Sequence, residues 1–226
     1  MPLSIDRDRY FAYGSNMDPE QMDHRGLAWD RAEGASLSGH RLVFDFDARG
    51  RWLGGAADIV PDPDGTVEGV LYHLVGDIAQ MDPWEMGYHR VEVEVVGLDK
   101  GTLLRTWTYV VVSKGQPMTP SEVYVDQMLE GARRFGLSGG YMEMLEGLRA
   151  RGHEELGEHV RTLRGLAQAG RPLAGEELAY HLGMDTGRTE DLLSDLVDWG
   201  WLEPGGSPSS FKVLEEKVER APWVLK

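Results

Sequence analysis

The sequence predicts an α+β protein built as one main unit and a smaller appendix. Three observations carry that reading. The first 112 residues run as apolar and β-branched stretches bounded by Gly, Pro and Asp, the pattern of strands. From Thr119 the apolar residues recur at helical spacing instead. After Arg151 the texture changes again, so residues 1–151 and 152–226 are expected to fold as two units; a chain of 226 residues suits one core domain plus a small one. With 41% hydrophobic residues the chain can bury a real core.

Taken in order, strands are expected at 9–13, 41–47 ("RLVFDFD"), 55–60, 66–74, 89–97 ("HRVEVEVVG") and 103–112, with short helices at 19–24 and near 77–81. "PDPDG", 61–65, has the Asp and Gly content of a tight hairpin turn. Its Asp-x-Asp-Gly opening lacks the acidic residue that would close a calcium loop. "GRWLGG", 50–55, lacks the Lys-Ser/Thr of a phosphate loop and reads as a hairpin bend. In "TPSEVYVDQMLEGARRFGL", Thr119 or Ser121 can cap a helix whose first turn holds Glu122. Further helices are expected over "SGGYMEMLEGLRA" and near 154–169. The remainder, "RPLAGEELAYHLGM", "DTGRTEDLLSDLVDWGWLEPGG" and "FKVLEEK", gives the order helix, turn, helix, strand, Gly-rich turn, strand, which resembles a winged helix-turn-helix.

Composition removes several function classes. There is no cysteine, hence no disulfide, thiolate metal site or cysteine nucleophile. "MPLSIDRDRY" has no apolar leader core, and no uncharged apolar run is long enough to span a bilayer, so a cytoplasmic protein without membrane attachment is expected. The formal net charge of -15 argues against a polyanionic partner. Residues 151–226 carry 9 Lys+Arg against 14 Asp+Glu, and the would-be recognition helix holds Glu190, Asp191, Asp195 and Asp198 against Arg188. Nucleic acid is therefore disfavoured; a small molecule, or a second copy bound through the C-terminal unit, is the expected partner. "HEELGEH", 153–159, has Gly157 where a zinc-protease helix needs its second histidine, and His24, His40, His73 and His89 are scattered, so no metal site is expected.

Two short segments carry chemistry. "RYFAYGSNMD", 9–18, is a strand that stops on Gly-Ser-Asn and restarts as a helix, leaving backbone N–H groups to face one small space. Ser15 lacks the Gly-x-Ser-x-Gly setting of a nucleophile. In "MDPWEMGYHRVEVEV", 81–95, Glu85 stands among Trp84, Met86 and Tyr88 just before a strand. A carboxylate in such company is expected to be partly withdrawn from water, as suits a general acid–base.

"YFAYGSNM" at 10–17, "VEGVLYHL" at 67–74 with "MDPWE" at 81–85, "YHRVEVEV" at 88–95 and "PSEVYVDQMLEGARRFGLSGGYMEML" at 120–145 together resemble the γ-glutamylcyclotransferase family, also called AIG2-like or BtrG-like. The resemblance covers roughly residues 8–150 and departs from the family pattern at Met86, where Gly usually follows the acid. It implies a small mixed β-barrel flanked by helices. It also implies that Tyr13, Gly14, Ser15, Asn16 and Met17 hold a γ-glutamyl group, that Glu85 transfers protons and that Tyr124 lines the pocket. The implied reaction closes the glutamyl α-amine onto its own δ-carbonyl, releasing 5-oxoproline and a free amine without a metal or cofactor. A second function, a γ-glutamyl-metabolite-binding regulator acting through the C-terminal unit, is the alternative.

Overall fold

The computed structural model of the chain describes residues 8–205 and 209–225. The N-terminal stretch read above for a leader lies outside the described residues up to Arg7, as does part of the Gly-rich turn after Pro204. In chain order the first unit comprises β1 (Arg9–Ala12), a 3-10 turn (Ser15–Met17), α1 (Pro19–His24), β2 (Trp29–Asp47), α2 (Arg49–Trp52), β3 (Gly55–Leu74), a second 3-10 turn (Ile78–Trp84), β4 (Tyr88–Gly97), β5 (Leu103–Val111) and α3 (Glu122–Arg134). The five strands close into a barrel in the order β1-β3-β2-β4-β5. β1 meets β5 in parallel at Tyr10 and Trp107, while the other neighbours are antiparallel. The barrel is thus small, mixed and helix-flanked, as expected.

Its backbone is one long hairpin, β2 against β3, whose tip is α2 with Leu53 in the left-handed region (φ 62°). The bend expected at 50–55 lies there. "PDPDG" is not a hairpin turn, however. His40 pairs with Pro61 and Ser38 with Thr66, so residues 62–65 bulge out opposite Gly39 within a single strand. Inside the bulge the Asp64 N–H donates to the Asp62 side chain (3.2 Å), which satisfies the turn chemistry without reversing the chain. The two flanks share one partner strand because β2 begins at Trp29. That early half, "WDRAEGASLSG", is too rich in small and charged residues to show a strand pattern.

Phe11, Val67, Val70, Leu71 and Tyr72 are fully buried in the barrel, and Met17, Met22, Met128 and Leu129 are fully buried beside them. α3 is capped by Ser121, whose hydroxyl accepts from the Tyr124 N–H (3.3 Å). α4 (Gly139–Ala169) is one helix of 31 residues, not the two expected, and it runs unbroken past Arg151. Leu145 at one end and Val160, Leu163 and Leu166 at the other are all buried, so both halves have a core to pack on.

Beyond α4 come β6 (Leu173–Ala174), α5 (Gly175–Leu182), α6 (Thr186–Asp198), β7 (Leu202–Pro204), β8 (Ser210–Val213), α7 (Glu215–Arg220) and α8 (Pro222–Leu225), with the strands in the order β6-β8-β7. This segment docks on the hairpin tip. Trp201, fully buried, donates its Nε1–H to the Arg49 carbonyl (2.7 Å). Lys217 donates to the Gly50 carbonyl, and Trp223 packs against Trp52 and His24 at centroid distances of 6.2 and 5.0 Å. No helix among the described residues is long and apolar enough to cross a membrane.

Candidate active site

β1 stops because Tyr13 and Gly14 turn the chain inward. The Tyr13 hydroxyl donates to the Tyr109 carbonyl across the barrel. At Gly14 a Cβ would lie 2.6 Å from the Tyr124 hydroxyl, closer than real contacts allow, so only glycine fits. The turn closes with the Met17 N–H on the Gly14 carbonyl (2.9 Å), and Asp18 then caps α1 by accepting from the Glu20 N–H (2.9 Å).

Against this loop stands Glu85, at the end of the second 3-10 turn, its N–H on the Asp82 carbonyl (3.2 Å). Asp82 is itself braced by the Tyr109 hydroxyl (2.6 Å) and Arg90 (3.2 Å). The Glu85 side chain is only 11% exposed, and its Oε1 accepts from Asn16 Nδ2 (2.8 Å) and Arg25 Nη1 (3.0 Å). Oε2 makes no hydrogen bond among the described residues, and Glu85 lines the cavity. The Asn16 amide has one workable orientation. Gln21 Nε2 donates to its Oδ1 (2.7 Å), while its Nδ2 serves both Glu85 and the Tyr10 hydroxyl (2.8 Å). Turned over, it would set an oxygen against the carboxylate. The second hydrogen of Gln21 goes to Ser15 Oγ (2.9 Å).

The cavity, about 540 Å³ including its mouth, is walled by Tyr10, Tyr13, Tyr88, Tyr109 and Tyr124. Burial pushes all five hydroxyls above their ordinary range, so they remain neutral donors. Tyr124 differs from the others. Its oxygen accepts from the Ala57 N–H (3.0 Å) and the Ser15 N–H (3.3 Å), and the hydroxyl also meets the Ser15 side chain. The Ser15 N–H, expected to be among the groups left without a partner and facing one small space, is thus already engaged.

Of the residues named from sequence, Tyr13, Gly14, Ser15, Asn16, Tyr124 and Glu85 line this one cavity. Met17 does not, and that expectation is corrected: its side chain is fully buried in the core, and its carbonyl accepts from the Tyr72 hydroxyl (2.9 Å). Sequence reasoning missed Gln21, Arg25 and Arg51. The first two stand four apart on and just after α1, the spacing that puts both on one face, and that was the available signal. Arg51, in α2, projects into the cavity with one hydrogen bond, to the Trp84 carbonyl (3.2 Å). Among the described residues, no group of three or more His, Cys, Asp and Glu side chains could hold a metal ion.

A small mixed barrel whose first strand breaks into a Gly-Ser-Asn loop facing one enclosed carboxylate defines a protein of the γ-glutamyl cyclotransferase-like class. The chain belongs to the gamma-glutamyl cyclotransferase, AIG2-like family, whose model matches residues 10–126. It is similar to a solved structure named "Gamma-glutamyl cyclotransferase", at 27% identity and TM-score 0.55, over 61% of this chain and 85% of that one. A Homo sapiens protein, described as uncharacterized protein loc79017, is similar at 26% identity and TM-score 0.53, over the same shares. Among curated proteins none matches.

Proposed function

We propose that the protein is a γ-glutamyl cyclotransferase releasing 5-oxoproline and a free amine from a γ-glutamyl amide. One observation carries the reading: the Glu85 carboxylate, which lines the cavity, is held by Asn16 and Arg25 through Oε1, and Oε2 makes no hydrogen bond among the described residues. Oε2 takes a proton from the substrate α-ammonium. The freed amine attacks the δ-carbonyl, and the carbonyl oxygen gathers charge within reach of the Tyr124 hydroxyl. When the ring closes, Glu85 returns that proton to the departing nitrogen, the C–N bond to the amine half breaks, and the ring nitrogen gives its surplus proton to the released amine, which leaves as an ammonium. Nothing enters or leaves beyond the two products. Holding amine and carbonyl at attack distance can supply about 7–11 kcal/mol of barrier reduction. The C-terminal segment, read as winged-helix-like, serves contact within the chain rather than nucleic acid, because α6 turns Glu190, Asp191 and Asp198 to solvent.

The test is 5-oxoproline release, followed by mass spectrometry across a panel of γ-glutamyl compounds. Glu85→Gln keeps the size and the hydrogen bonds from Asn16 and Arg25 but removes the titratable group. Its kcat should fall by about 10²- to 10⁴-fold with little change in substrate affinity. Asp82→Asn and Glu92→Gln should not imitate it. A Glu85→Gln protein working at the parent rate would overturn the assignment.

A further inference from the structure

Outside the catalytic cavity lies a second concavity, between α2, the Ile78–Trp84 turn and α7. Arg51, Trp84 and Met86 line both spaces, so the two adjoin, and Lys217 and Arg220 line the outer one. Three cations converge here in a chain whose net charge is -15, and Glu216 is the acid among the residues lining the groove. Arg51 is short of partners. Of its five N–H donors one is used, on the Trp84 carbonyl, and no carboxylate lies within 4 Å of it among the described residues. Burial, then the neighbouring Arg25 charge, pulls its guanidinium down to about 10, which still leaves it charged at neutral pH. Lys217 is anchored on the Gly50 carbonyl and over the Trp201 ring (5.1 Å). Burial, with the Arg220 and Arg51 charges against the opposing pull of Glu216, holds its ammonium below the ordinary range. Arg220 makes no hydrogen bond or ion pair among the described residues, and Met86, 77% exposed, offers an apolar wall.

We propose that this groove is the subsite for the amine half of the substrate and selects conjugates whose amine half carries a carboxylate. The inference rests on the cyclotransferase reading for the γ-glutamyl half. A half-enclosed cation without a counter-ion is costly to keep, and an incoming carboxylate supplies the missing partner through charge-assisted, bidentate hydrogen bonds. A neutral amine half leaves Arg51 with no ion-pair partner of its own, since Glu85, whose charge it feels, is paired with Arg25, and a cationic one adds a like charge. The appended C-terminal segment thereby gains a part in specificity through α7.

Two probes that differ only in that charge decide it: γ-glutamyl-alanine and γ-glutamyl-alaninamide. The parent should favour the acid over the amide by about 10- to 100-fold in kcat/KM, the worth of a hydrogen bond to a charged group, and salt should erode the preference. Arg51→Gln should reduce the ratio about 10-fold, and the solvent-facing Arg220→Gln about two- to five-fold. Arg220→Gln disturbs no packing, so it tests the groove even where Arg51→Gln fails to fold. Equal turnover of both probes would leave the cyclotransferase reading standing and overturn the groove. Turnover of neither would sink the cyclotransferase reading, and calorimetry then decides the groove alone. Tighter, salt-sensitive binding of the acid supports it, while equal or undetectable binding of both probes overturns it.

Discussion

Asn16 does by one amide what many sites divide among several groups: it faces Glu85, Tyr10 and Gln21 at once, at 2.7–2.8 Å. Two residues further on, Asp18 shows the cost of building such a loop deep in the molecule. It is 2% exposed, and burial raises its carboxyl to about 6, with Glu20 and Glu130 adding to the rise and the Glu20 N–H and Arg134 opposing it. The folded state therefore holds this proton more tightly than the unfolded chain, whose value is about 3.9. The contribution to stability is complete below pH ~4 and is lost as pH rises through about 6. Asp18→Asn keeps the cap and deletes the titration. Urea midpoints should agree for parent and variant at pH 4, with the variant ahead at pH 7 by about 1–3 kcal/mol. Glu85 and most of its loop were legible in the sequence because motif residues sit together along the chain. Gln21, Arg25 and Arg51 were not, since they reach the site from α1 and α2, outside the motif residues, and need the tertiary fold to bring them there.

At the scale of elements, α3 sets the depth of the loop. A Cβ on Gly131 would come within 2.2 Å of the Met17 carbonyl oxygen, so helix and loop touch backbone to backbone. Gly131→Ala should force them apart, lowering stability by about 1–3 kcal/mol and raising KM. Gly147→Ala on exposed α4 is the control: its Cβ meets nothing within 4 Å, and it should stabilise the protein by about 0.5–1 kcal/mol. Thermal melts of the two variants, with KM, check both signs. The strands with alternating patterns, β4 and β5, were readable from sequence, as were the ends of the β2–β3 hairpin. The bulge at 61–65 was not, because Asp-Gly chemistry serves a bulge as well as a turn. The union of two expected helices into α4 depends on what each half packs against, which periodicity does not record.

Across the whole molecule, the barrel and the C-terminal segment are joined twice: by α4, and by the contacts of Trp201, Lys217 and Trp223 on the hairpin tip. Trp201→Ala removes a fully buried side chain and orphans the Arg49 carbonyl. It should lower stability by about 3–5 kcal/mol. Because Arg49 adjoins the groove wall, it should also weaken the preference for an acidic amine half, read by the same pair of probes. The second junction has a consequence in time. Chains fold from the N-terminus as they are synthesised, and β1 through β5, with the loop and Glu85, are complete at Val111, while α7 begins only at Glu215. A nascent chain thus holds the Glu85 carboxylate long before the outer wall of the groove exists. On the function and the groove proposed above, the place where the bond is broken is, within the life of each molecule, older than the place where the departing half is chosen.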